Sequence, residues 1–174
     1  MNSTACHIFI LHDLGDNITQ LAQAIADGVT SVPGVTVKIS QPNHATKADL
    51  LEADGIIIGT PNWTGIKGTL KRWLDTTGDL WEEGSLAGKV GAAFTSSAGR
   101  HSGTEFTLLS VLHWMLGSGM IIVGLPWSET MIRSGSYYGA TAVGSVTEED
   151  LAQAYALGQR VAQVAVQLRR GATP

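Results

Sequence analysis

The residues able to do chemistry in this chain gather in three short polar segments, each of which follows an apolar run. The first is His12-Asp13-Leu14-Gly15-Asp16-Asn17, the second runs from Thr60 to Gly68, and the third from Ser96 to Gly103. Each mixes glycine with hydroxyl, amide or charged side chains. Glycine lets the backbone approach a ligand closely, and a strand-to-helix turn offers unpaired N–H groups to an anion. Such loops suit a small phosphate-bearing molecule, although glycine-rich loops also serve turn formation alone. Other chemistries lack their residues. The five histidines stand singly, with no pair at metal-ligand spacing and no His-Glu-x-x-His, so no metal site is expected. Gly-x-Ser-x-Gly is absent, which removes a nucleophile elbow. No Gly-x-Gly-x-x-Gly follows the first apolar run, which weakens a dinucleotide-binding Rossmann reading. Gly84-Ser85-Leu86-Ala87-Gly88-Lys89 is one residue short of a Walker loop and precedes a strand instead of a helix. Cys6 is the sole cysteine, so no intramolecular disulfide can form.

Five short apolar runs lead into or lie between these segments: Ile8 to Leu11, Val35 to Ile39, Gly55 to Gly59, Val90 to Thr95 and Met120 to Val123. They are rich in β-branched residues and bounded by Gly, Pro or Asp, as buried parallel strands are. Helical spacing appears between them. Ile18, Leu21, Ala22, Ile25 and Ala26 make one stripe, Leu70, Trp73 and Leu74 a second, and Phe106, Leu109, Leu112 and Leu116 a third. Thr147-Glu148-Glu149-Asp150 reads as a variant capping box opening a last helix, which ends on Arg169 and Arg170. Leu125 to Val146 is expected to be irregular. Strands alternating with helices describe a doubly wound α/β sheet, in which ligands sit beyond the carboxyl ends of the strands. That places all three polar segments at one edge. No linker divides the chain, so residues 1–174 are expected to form one domain.

Composition narrows the functions further. The chain has 174 residues, 44% apolar and 15% charged, against a usual charged fraction of about 25%. A core is therefore expected, not a disordered polymer. A net charge of -4 argues against nucleic acid or anionic membrane as partner. No run approaches the ~20 apolar residues of a membrane span, and the N-terminus lacks a signal-peptide pattern. A cytoplasmic location is expected.

Gly59-Thr60-Pro61-Asn62-Trp63-Thr64-Gly65, followed by Leu74-Asp75-Thr76-Thr77-Gly78-Asp79-Leu80-Trp81, resembles the WrbA-like NAD(P)H:quinone oxidoreductases. Phe94-Thr95-Ser96-Ser97, Gly119-Met120-Ile121-Ile122-Val123 and Ser134-Gly135-Ser136-Tyr137-Tyr138-Gly139-Ala140-Thr141 match the same family. The resemblance runs in order from Ile8 to Leu168. It implies a flavodoxin-like α/β fold, a five-stranded parallel sheet in the order 2-1-3-4-5 with helices on both faces. It also implies FMN as cofactor, NAD(P)H as co-substrate, a quinone as acceptor, and a homotetramer or homodimer. Carried over by position, Asp13, Leu14, Gly15, Asp16, Asn17 and Ile18 form the phosphate loop. Pro61, Asn62, Trp63, Thr64 and Gly65 form the ring-edge loop, and Ser96, Ser97, Ala98, Gly99, Arg100 and His101 line the isoalloxazine. Trp81 matches a tryptophan that closes the substrate space from a neighbouring subunit. Ser118 stands where the family has a histidine near the flavin. Trp81 and Ser118 are thus the candidate catalytic residues.

The chain departs from the family pattern at several of these positions. Asp13 and Asp16 replace a hydroxyl residue and a glycine. Arg100 and His101 replace glycines in a third loop that is one residue longer, and the segment between Thr141 and Val146 is shorter. A carboxylate ~4 Å from a phosphate charge costs about 4 kcal/mol at an effective dielectric near 20. A helix N-terminus returns ~0.3–1 kcal/mol. Two readings follow. Either Asp13 and Asp16 oppose FMN, and the chain is a flavin-free binding or assembly relative, or one of them is the N-cap of the first helix. Trp63 has two readings as well, against the flavin or packed on Leu70 or Trp73.

Overall fold

The computed structural model describes residues 5–171. Its strands and helices alternate as β1 (Cys6–His12), α1 (Asp16–Thr30), β2 (Val35–Ser40), α2 (Lys47–Glu52), β3 (Gly55–Pro61), α3 (Gly68–Asp75), α4 (Gly78–Glu82), β4 (Val90–Ser97), α5 (Thr104–Gly117), β5 (Ile121–Ile122), β6 (Gly139–Val143) and α6 (Glu148–Gly171). The sheet is parallel throughout, in the order β2-β1-β3-β4, with β5 and β6 both paired to β4. This is the expected flavodoxin-like order 2-1-3-4-5, to which the structure adds a sixth strand beside β4. The fifth position is filled in two pieces. β5 pairs the start of β4 at Val90 and Gly91, and β6 pairs its end from Ala93 to Ser97. The stretch expected to be irregular therefore contains a strand, Gly139–Val143, whose small residues give little hydrophobic signal.

Period-two alternation divides the central strands between two cores. Ile8, Ile10 and Ile57 face the layer of α1 and α6, whereas Phe9, Leu11, Ile56 and Ile58 face the layer that includes α3 and α5. Helices α1 and α6 cross at backbone contact. A Cβ on Gly28 would stand 2.0 Å from the Tyr155 carbonyl oxygen, and one on Gly158 the same distance from that of Ile25. In α5 the buried face is Leu108, Val111, Leu112 and Met115, while Phe106, Leu109 and Leu116 of the expected stripe are exposed. The helix is apolar on both sides, so spacing alone does not choose the face that meets the sheet. The last helix opens in the expected box. Thr147 N donates to Asp150 Oδ2 at 2.9 Å, and Asp150 N donates to Thr147 Oγ1 at 3.2 Å.

Candidate functional site

A cleft of about 680 Å³ lies beyond the carboxyl ends of the strands. The β1–α1 loop contributes Gly15, Asp16 and Asn17, the β3–α3 loop Pro61, Asn62 and Trp63, and the end of β4 Ser96, Ser97 and Ala98. Three segments distant in sequence converge because parallel strands deliver all their outgoing loops to one edge. The β6–α6 loop adds Gly144 and Ser145, which sequence reasoning missed. A signal was present: Ala140 to Val143 followed by Gly-Ser repeats the strand-to-polar-turn pattern of the other three loops.

Hydrogen bonds tie the loops together. Asn62 N donates to Ser96 O and Asn62 Nδ2 to Ser102 O, each at 2.7 Å. Asn17 Nδ2 donates to Gly144 O at 2.6 Å, and Gly144 N to Ser97 O at 2.8 Å. Thr64, at φ 53, and Gly65, at φ 115, turn the second loop, and Gly65 N donates to Asn62 Oδ1 at 3.3 Å. Trp63 is 71% exposed on the cleft wall, too open to be a loop aromatic packed on Leu70 or Trp73.

The start of α1 opens onto this cleft. Its N-cap is Gly15, and no side chain caps its first turn. The expectation that Asp13 or Asp16 is the N-cap is thus corrected. Asp16 is the first helical residue, exposed and lining the cleft. Asp13 is 1% exposed, and its Oδ2 accepts from Thr60 Oγ1 at 3.2 Å. Its N–H donates to Gly59 O, so its backbone still belongs to the sheet. With the backbone in the sheet and the carboxylate bonded to Thr60, Asp13 cannot also occupy the mouth of α1. Burial pushes its carboxyl above the ordinary range. The Thr60 hydroxyl, the Lys67 charge, the Leu70 N–H and His12 offset only part of that rise.

The remaining candidates fall into separate places. Ile18 is buried in the core, and Leu14 is exposed at the loop tip, where its carbonyl accepts from Lys67 Nζ at 3.5 Å. Gly99, Arg100 and His101 lie in an exposed turn after β4, held by Ser97 Oγ bonding to both the N–H and the carbonyl of Gly99. Arg100 lines a neighbouring polar cavity of about 320 Å³ with Arg133 and Thr141. Trp81 and Ser118 come together in a third cavity of about 380 Å³, walled also by Trp114 and His113. This cavity shares no lining residue with the cleft. Ser118 follows the 14-residue α5, about 20 Å of helix beyond the third loop. It is buried, and its hydroxyl donates to Trp114 O at 3.0 Å. Trp81 is 60% exposed. Among the described residues no group of three or more His, Cys, Asp or Glu could hold a metal ion, and no helix is long and apolar enough to cross a membrane.

Comparison with known proteins fits this geometry. The model of the family described as NADPH-dependent FMN reductase matches residues 11–130. A protein of Archaeoglobus fulgidus named NAD(P)H dehydrogenase (quinone) is 38% identical over 187 residues, covering 92% of this chain and 97% of the relative. One of the same name from Geobacter sulfurreducens is 34% identical over 198 residues, covering 92% and 98%. Among solved structures, a flavodoxin, WrbA-like protein from Agrobacterium tumefaciens superposes with a TM-score of 0.74 at 24% identity, covering 94% of this chain and 98% of that one. An oxidised flavodoxin from Bacillus cereus gives 0.68 at 18% identity, covering 91% and 98%. These two likenesses establish the fold.

Proposed function

Since the chain belongs to the NADPH-dependent FMN reductase family, we propose that it is an FMN-dependent NAD(P)H:quinone oxidoreductase. The observation that carries the cofactor assignment is the uncapped start of α1 opening into a 680 Å³ cleft. That volume lies within the range of small-molecule sites, and a helix N-terminus is a ready anion site. The residues present fit FMN. The phosphate belongs at the first turn of α1, beside Asn17. The ring belongs between Pro61, Asn62 and Trp63 on one side and Ser96, Ser97 and Ala98 on the other. The flavin-free alternative loses half its support, because the Asp13 carboxylate is turned into the protein.

Bound there, FMN supplies two-electron chemistry between a nicotinamide donor and a quinone acceptor. The chain supplies position. The Asn62 bonds to Ser96 and Ser102 fix the spacing of the second and third loops, and the Asn17–Gly144 bond fixes the first against the fourth. The exposed Trp63 indole offers a flat apolar surface for covering a ring. Among the described residues Asp16 is the only carboxylate on the cleft wall, and every other lining side chain is apolar, hydroxyl or amide. The cleft therefore orients and shields its ligands and contributes no paired acid and base.

Trp81 meets a cleft only through a second copy, which makes self-association part of the proposal. Phe106 at 75% exposed, with Leu109, Leu116 and Trp81, gives the outer side of α4 and α5 an apolar surface suited to burial between copies. A dimer or tetramer is expected by light scattering, and a monomer at micromolar concentration would remove Trp81 from the site. The cofactor assignment is tested by titrating the protein with FMN and riboflavin, then assaying NAD(P)H-dependent quinone reduction. Protein that binds neither flavin and reduces no quinone in excess FMN overturns it.

A further inference from the structure

Asp13 occupies a position from which a carboxylate would repel a phosphate if it faced the cleft, yet it faces the other way. Its carboxyl accepts from the hydroxyl of Thr60, the penultimate residue of β3 and fully buried, and from the N–H of Leu70 in the first turn of α3. The single hydrogen of Thr60 Oγ1 is shared between Asp13 Oδ2 at 3.2 Å and Pro61 O at 3.3 Å. The same oxygen accepts from Lys67 N at 3.2 Å. Thr60 thus grips both ends of the 61–67 loop, and Asp13 fixes the direction in which its hydroxyl points. Lys67 completes a second crossing, through its ammonium to Leu14 O at 3.5 Å. The first and second loops are thus tied to each other through Asp13, Thr60 and Lys67, next in sequence to Pro61.

We propose that Asp13 is a positioning residue for the cleft: its buried carboxylate latches the β1–α1 loop to the β3–α3 loop, and removing it weakens flavin binding instead of relieving repulsion. The proposal rests on the flavin assignment above. Deleting the carboxylate leaves the Thr60 hydroxyl only Pro61 O, within its own loop, and leaves the Leu70 N–H at the start of α3 without its acceptor, in a site closed to water. An unmade bond of this kind is costly, and the loop that must receive the ring loosens. The phosphate end is untouched, because α1 keeps its Gly15 start.

The test compares Asp13→Ala and Asp13→Asn with the unaltered protein in two measurements. One is the affinity for FMN and for riboflavin by fluorescence titration. The other is hydrogen exchange of the ligand-free protein at the amides of residues 63–70. Asp13→Ala is expected to lose roughly 10- to 100-fold in affinity for both flavins alike, with faster exchange at Lys67. Asp13→Asn keeps an acceptor and recovers most of both. A gain in FMN affinity with riboflavin unchanged would overturn the latch and restore simple charge repulsion; unchanged affinity and exchange would overturn it as well. Should Asp13→Ala not fold, Thr60→Val removes the bridging hydroxyl with the carboxylate in place, and the same losses are expected. If the unaltered protein binds neither flavin, the cofactor assignment falls while exchange at Lys67 still decides the latch.

Discussion

Helix α6 begins in a reciprocal box between Thr147 and Asp150, and α2 in the equivalent arrangement of Thr46 and Asp49, whereas α1 begins on Gly15 with no side chain to receive its first N–H groups. Every helix leaves N–H groups orphaned at its start. At α2 and α6 the chain closes it with its own hydroxyls and carboxylates. The N-cap residues of α1, α3, α4 and α5 supply no side-chain cap, and among the described residues α1 is the one of these starts that lines the cleft. The aspartates record the same division: Asp49 and Asp150 close helix starts, Asp13 is withdrawn to brace two loops, and Asp16 alone stays at the open mouth.

Closing the open start should have the largest effect. Gly15 has an extended backbone at φ 164, and a Cβ there meets only Ile18, at 4.0 Å, so aspartate fits as an N-cap. Gly15→Asp is expected to leave the melting temperature unchanged or slightly raised while weakening FMN about 1000-fold. That figure follows from ~4 kcal/mol for a carboxylate ~4 Å from a phosphate charge. Riboflavin should be little affected. If FMN binding survives, the start of α1 is not the phosphate site.

Opening a closed start should do the reverse. Thr147→Ala is expected to cost about 1 kcal/mol and to lower the melting temperature by ~2–4 °C. Flavin affinity should not change, and a loss would show that α6 positions the cleft through the Gly144 loop.

Of the buried aspartates, Asp13 and Asp49 should respond to pH with opposite sign. Burial pushes the Asp49 carboxyl up, but the bonds and charge of Lys38 and the bonds from Thr46 bring it below the ordinary range. Its stabilising contribution is present above the ordinary carboxylate value and is lost as pH falls through the lowered one. Asp13 sits above that range, so its contribution is largest below the ordinary value and is lost as pH rises through the raised one. Melting temperatures followed from neutral pH into acid should therefore fall less steeply for Asp49→Asn than for the unaltered protein. For Asp13→Asn they should fall more steeply. Matching profiles for the two variants would erase the distinction.

The smallest effect belongs to Asp16. It is exposed, so its repulsion is screened. Asp16→Asn is expected to improve FMN affinity only a few-fold at low salt, with no gain in high salt and none for riboflavin.

The three candidate loops were legible because apolar runs ending in glycine and small polar residues mark strand ends, and a parallel sheet must bring those ends together. The fourth is fainter: Gly139–Val143 repeats the strand-to-polar-turn pattern only in small residues, inside a stretch that composition marks as irregular, so Gly144 and Ser145 do not stand out. Trp81 and Ser118 each enter by resemblance; they share a cavity walled by α3, α4 and α5, apart from the cleft.

By itself the sequence determined the layers. The unbroken apolar runs Ile8 to Leu11 and Ile56 to Ile58 require a sheet buried on both faces, and Thr147 to Asp150 dictates its helix start locally. Local patterns suffice wherever the partners lie within a few residues of each other. The tertiary structure decided what locality cannot: which side of α5 meets the sheet, how the fifth strand position is shared, and above all where Asp13 points. A carboxylate next to a strand end can turn toward α1 or toward β3. Thr60 lies 47 positions away in sequence, and only the β1–β3 pairing brings its hydroxyl within hydrogen-bond distance of Asp13.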